Sequence, residues 1–180
     1  MKRAELRPEA VALWSLLFYL DPARLFWPFL AACAVHETAH LLVLYLLGGR
    51  VRSLSLGILG AQIDTELPRW ALLAATLAGP ASNLLLAPLF ACSAPRFALV
   101  NLLLGVYNLL PVPPLDGAQI LALLFPRSQF PVALIVLALL GLLSLMLTYR
   151  GLGLWPIIVY ALLLVRAGLE MAVAKWSKTR

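Results

Sequence analysis

Six apolar segments, at residues 10–20, 25–47, 70–92, 97–125, 130–148 and 152–174, leave this chain little besides short connections. Runs of about 20 apolar residues are long enough to cross the hydrocarbon core of a bilayer as helices. Composition agrees: of 180 residues, 63% are hydrophobic and 12% charged, where a soluble domain is nearer half apolar and about a quarter charged. The start, "MKRAELRPEA", is basic, but no small-residue cleavage site follows the apolar stretch, so it does not read as a secretory signal. The expectation is an all-α polytopic membrane protein with about six transmembrane helices. The first segment is short and ends where Pro22 disfavours helix at Asp21. A five-span chain, with residues 10–20 lying in the interface, is the alternative.

The net charge of +6 does not point to nucleic acid, because the basic residues cap apolar segments instead of clustering among aromatics. They orient the chain. Six spans put Lys2, Arg3, Arg7, Arg50, Arg52, Arg69, Arg127, Lys175, Lys178 and Arg180 on one side, and Arg24, Arg96 and Arg150 on the other. Arg166 falls within the last segment. Ten against three places both termini in the cytoplasm by the positive-inside rule. Cys33 and Cys92 both lie in apolar segments, and no disulfide is expected between them.

The connection "GGRVRSLSLGILGAQIDTELPR" (48–69) alternates Val51, Ser53 and Ser55 with Leu54, Leu56 and Ile58, the period of a strand. Gly57 and Gly60 allow a tight bend, so two short strands in a hairpin are expected after the second span. The connection is too short for a folded soluble domain. A single domain over 1–180 is expected, with its core at 25–125.

The second segment, "FLAACAVHETAHLLVLYLLGG" (29–49), holds both histidines of the chain. On a helix, His36 and His40 lie one turn apart on one face and can hold one metal ion. Zinc suits two imidazoles, one more protein ligand and an open position for water. Glu37 points about 100° away around the helix, placed to act as a general base on water that the metal acidifies. Each ionisable residue at mid-bilayer costs about 2.5–3.5 kcal/mol by insertion scales, so three together require a compensating role.

Of the eight acids, six lie at span ends or in polar connections, Glu170 toward the end of the last segment among them, and only Glu37 and Asp116 fall well inside the membrane-spanning pattern. Asp116, in "NLLPVPPLDG" (108–117), is therefore the candidate third ligand. Pro111, Pro113 and Pro114 must break the helix there, and broken backbone at membrane depth is tolerated only against protein or a wet cavity. In "LAGPASN", Gly79 and Pro80 read as a kink or a close helix contact. Asn83 reads either as interhelical glue or as a hydrogen-bond donor to substrate or a developing oxyanion, and Asn108 as such a donor. Cys33, one turn before His36, reads as a small buried residue.

These residues resemble the site-2 protease family of intramembrane zinc metalloproteases (M50), and within it the stage IV sporulation branch. The resemblance rests on HExxH in one span, Gly-Pro-x-x-Asn in the next and Asn-x-x-Pro-x-Pro-x-x-Asp-Gly in another, in that order. It implies that His36, His40 and Asp116 bind Zn2+, that Glu37 is the base, and that Asn108 lies at the site. It implies a membrane-dipping hairpin over 50–63 that receives substrate as an added strand. The implied substrate is a membrane-associated protein precursor, of the pro-sigma-K kind in the sporulation branch, with membrane proteins as inhibitors. Neither a PDZ insert nor a C-terminal CBS domain is expected. The rival readings are a zinc transporter or metal-binding membrane protein, which would spread polar residues over several spans, and an inactive relative.

Overall fold

The computed structural model of the chain describes residues 24–49, 53–57, 60–64 and 67–177. The expected first span lies outside the described residues. The chain separates into two compact units, Met1–Tyr107 and Asn108–Arg180, and the boundary runs through the 25–125 stretch expected to form the core.

The first unit contains α1 (Phe26–Leu46), β1 (Ser53–Gly57), β2 (Gly60–Asp64), α2 (Arg69–Leu89) and α3, which begins at Pro95 and ends on Asn108. The double glycine after α1 stops the helix. Gly48, at φ +77°, donates to Tyr45 O, and Gly49 N donates to Leu44 O at 2.9 Å. This left-handed turn closes the last carbonyls of the helix at no Cβ cost. The expected hairpin follows: β1 and β2 pair antiparallel from Ser53 opposite Asp64 to Gly57 opposite Gly60. Its tip, residues 58–59, lies outside the described residues, as does Val51.

Helices α1 and α2 meet along small residues spaced one turn apart. The buried positions of α2 are Ala71, Ala75, Gly79, Pro80, Asn83 and Ala87, and those of α1 are Ala32, His36 and Leu44. Stripes of this kind let helix backbones approach closely in lipid, where apolar surface alone does not drive association. Helix α3 joins through Gly105, where a Cβ would stand 2.9 Å from Leu84 Cγ and 3.2 Å from Pro80 O.

The second unit contains α4 (Asp116–Leu124), α5 (Gln129–Leu147), a π turn over Thr148–Leu152 and α6 (Trp155–Ser177). Gly151 in that turn and Gly153 just after it take positive φ, a backbone open to glycine at little cost. Along α5, Ala133, Leu137 and Ser144 are buried, and a Cβ on Gly141 would stand 2.8 Å from the tip of Tyr160 on α6.

Among the described residues, four helices are long and apolar enough to cross a membrane: Phe26–Leu46, Arg69–Leu89, Gln129–Gly151 and Trp155–Ala172. The expected span at 97–125 is divided into α3 and α4. Their 14 and 9 residues rise about 21 and 14 Å, each short of the roughly 30 Å hydrocarbon core. Exposed aromatics stand near helix ends, Trp27 and Tyr45 on α1, Trp70 on α2, Tyr149 after α5 and Trp155 on α6, as at the two interfaces of a bilayer. Leucines between them face outward. Hydroxyls in these helices bond back to their own helix: Thr38 to Ala34 O, Thr76 to Leu72 O, Ser82 to Gly79 O and Ser144 to Gly141 O. A hydroxyl satisfied this way can sit in an apolar helix without a partner elsewhere. Both cysteines are free thiols.

Candidate metal centre

His36 is buried in the α1–α2 interface and His40, one turn on, is part-buried. Each ring is held by its Nδ1. His36 Nδ1 lies 2.6 Å from Asn83 Oδ1, and His40 Nδ1 lies 2.7 Å from the backbone oxygen of Ala75. Both partners are oxygens that only accept, so both Nδ1 atoms carry the proton. A neutral imidazole protonated at Nδ1 presents a lone pair at Nε2. The two Nε2 atoms face each other at 3.0 Å, with the rings at 84° to one another.

Two lone pairs at that distance repel unless a cation, either a proton or a metal ion, lies between them. Two Zn–N bonds of about 2.0–2.1 Å at a tetrahedral angle set their nitrogens about 3.3–3.4 Å apart, within a small relaxation of the pair. The residues present therefore fit a zinc ion. A hydrogen bond from the far nitrogen of a ligating histidine is also the usual way that ring orientation and tautomer are set.

Gly79 makes room for the rings. A Cβ there would collide with the His40 ring and stand 2.8 Å from His36 Cε1. The close contact expected of "LAGPASN" is thus a contact with the histidines themselves. Asn83 is fully buried, and its Nδ2 donates to Ala32 O at 3.2 Å and to Asn101 Oδ1 at 2.7 Å. Asn101 is also fully buried and donates from Nδ2 to Phe97 O at 2.8 Å. Three helices are tied at this point by one chain of amides.

Asn101 was not singled out in the sequence. The signal was present: a carboxamide in an apolar segment needs a partner, and Asn101 stands one turn before Gly105 in "NLLLGVYN". Glu37 and Cys33 lie on α1 beside the pair, both part-buried.

Asn108 and Asp116 belong to the second unit and flank the break in the expected fourth span. Asn108 is the last residue of α3 and Asp116 the first of α4. Between them Leu110 O accepts from Val112 N, and Val112 O accepts from Leu115 N. Val112 is fully buried, and the Pro113–Pro114 bond is cis. A Cβ on Gly117 would run into the Leu109 carbonyl, so the broken backbone folds directly over that glycine. Asp116 is part-buried and occupies the first turn of α4, where unpaired N–H groups favour a negative side chain.

The fold is similar to that of the site-2 protease from Methanocaldococcus jannaschii, with a TM-score of 0.65 and 21% sequence identity over 90% of this chain and 86% of that chain. The chain is an integral membrane protein with the site-2 protease fold. Residues 94–148 match the model of Peptidase family M50. That stretch holds Asn101, Asn108 and Asp116 and leaves out the HETAH sequence. No curated protein matches the chain by sequence. Neither comparison singles out the sporulation branch.

Proposed function

We propose that this protein is an intramembrane zinc metalloprotease that hydrolyses a peptide bond of a membrane-associated protein precursor. The observation that carries the reading is the pair of Nε2 atoms set 3.0 Å apart by two acceptor-bound Nδ1 groups. The match to Peptidase family M50 over 94–148 and the site-2 protease fold support it.

In this reading His36 and His40 hold the ion through Nε2, and Asp116, the acid that follows the proline break and opens α4, is the third ligand. Zinc, when bound, supplies Lewis acidity toward the scissile carbonyl and toward water. Glu37 takes the proton from the attacking water and returns it to the leaving amine. Asn83 orients His36, and Asn108, at the end of α3, is the candidate donor to the oxyanion.

The break between Asn108 and Asp116 exposes backbone groups that can receive an unwound substrate segment. The two-stranded β1–β2 hairpin has an outer edge on each strand, and a peptide added there as a further strand gains main-chain hydrogen bonds. Both termini are assigned to the cytoplasm, in a multi-pass arrangement in a bacterial membrane. Membrane proteins that inhibit such a protease are the expected regulatory partners.

The test is cleavage of a panel of membrane-associated precursors, a pro-sigma-K-type protein among them, by wild type and Glu37→Gln with zinc measured on both. The expected result is about one zinc on each and cleavage by wild type alone, with the variant slower by about 10²–10⁴-fold. Zinc flux across vesicles that is equal for the two proteins, with no cleavage by either, would move the assignment to a zinc transporter.

A further inference from the structure

We infer that Asn101, one helix removed from the histidines, is a positioning residue that selects the metal-binding tautomer of His36. The inference rests on the metal site proposed above and concerns how the chain keeps that site ready.

A carboxamide has two nearly isosteric faces, one accepting and one donating. If Asn83 were turned over, its NH2 group would face His36 Nδ1. That nitrogen would then have to accept, the ring proton would move to Nε2, and the atom aimed at His40 would be a blocked N–H. The choice between a ligand and a blocked ring therefore lies in the orientation of one amide.

The structure resolves that choice from outside the site. Phe97 O is a backbone carbonyl and can only accept, so the group of Asn101 that faces it at 2.8 Å must be Nδ2. The opposite face of Asn101, Oδ1, is then the one turned to Asn83, at 2.7 Å. It can only accept, so Asn83 must present Nδ2 to it. Ala32 O, at 3.2 Å, makes the same demand. Asn83 Oδ1 is left to face His36 Nδ1 at 2.6 Å.

Direction thus passes from a main-chain carbonyl of α3 through two amides to one ring nitrogen of α1. Asn83 and Asn101 are both 0% exposed, so water cannot substitute for either partner. His40 has no such relay, because its Nδ1 is set directly by Ala75 O. The two rings differ in how they are governed, and that difference gives the test an internal control.

The experiment uses full-length protein in lipid nanodiscs, labelled with 15N-histidine and stripped of metal. The chain has only 2 histidines, so long-range proton–nitrogen spectra report two rings and no others. In the wild type both rings are expected as the Nδ1–H tautomer. In Asn101→Leu, His36 is expected to divide between tautomers while His40 keeps Nδ1–H, and zinc affinity by chelator competition is expected to fall about 10- to 100-fold. Asn101→Ala carries the same expectation and serves if the leucine variant does not fold.

Asn101→Asp is expected to stay within about threefold of wild type. Its neutral acid, the form that apolar burial favours, can donate O–H to Phe97 and accept from Asn83. A merely structural role would order the variants the other way, with leucine the better tolerated in a spanning segment. An unchanged His36 tautomer in Asn101→Leu and Asn101→Ala, equal changes in both rings, or an aspartate as damaging as leucine would overturn the inference. A wild type with both rings Nδ1–H that binds no zinc would sink the metalloprotease reading and leave the tautomer relay standing. Zinc binding by a wild type whose metal-free His36 is Nε2–H would do the reverse.

Discussion

Helix pairs α1–α2 and α5–α6 are built from similar material and put it to different use. Each pair joins two long apolar helices, and each opens a glycine to its neighbour, Gly79 in the first and Gly141 in the second. Under Gly141 lies the tip of Tyr160, and the buried polar group on α5 is Ser144, which bonds to its own helix at Gly141 O. Under Gly79 lie the rings of His36 and His40, held by Asn83 and the Ala75 carbonyl. Close approach of helices in lipid is thus general, and small residues suffice for it. A site requires that the space so opened be filled by groups whose direction is set from both sides.

The contrast breaks most completely if a donor is removed. His40→Ala takes away one of the two converging Nε2 atoms and should abolish stoichiometric zinc, measured by metal analysis of the purified protein, without moving the thermal melting of α5 and α6 followed by local probes. Next in size is Gly79→Ala. Its methyl group meets two rings that their Nδ1 bonds keep from turning away, so an overpacking cost of about 1–3 kcal/mol is expected. That corresponds to a loss in zinc affinity of about 5- to 150-fold, read by chelator competition.

Gly141→Ala sharpens the comparison, since it adds the same methyl group to the other pair. Tyr160 meets it with the far end of a part-buried side chain that can swing aside, so the cost should be about 1 kcal/mol or less, with zinc affinity unchanged. A large zinc effect from Gly141→Ala would show that the two pairs are not separable in this way. The smallest effect is expected at the outward face of α5. Leu142 is 66% exposed, and Leu142→Val should change thermal stability by no more than about 0.5 kcal/mol.

Much of this was legible one residue at a time. The i, i+4 spacing of His36 and His40 announces a shared helix face wherever the helix sits. The prolines at 111, 113 and 114 announce a break, and α3 and α4 do end and begin on either side of it. The alternation after the double glycine announces two strands, and β1 and β2 do pair antiparallel, with Gly57 opposite Gly60. The span expected at 97–125 was less legible as a length. A run of apolar residues records what is buried or lipid-facing, and says little about how many helices divide it.

Asn83 and Asn101 mark where sequence reasoning stopped. An amide in a spanning segment demands a partner, yet the demand does not say which helix supplies it or which face of the amide it meets. Sequence by itself determined the helices, the break, and the chemical identity of the donors, because these follow from local backbone preference and from side-chain type. Tertiary structure alone decided that Gly79 opens onto the two rings, that Asn101 stands behind Asn83, and that both Nδ1 atoms meet acceptors. Those are distances between residues about 20 to 50 positions apart, set by how three helices pack, and hydrogen bonds acquire direction only when both partners are in place.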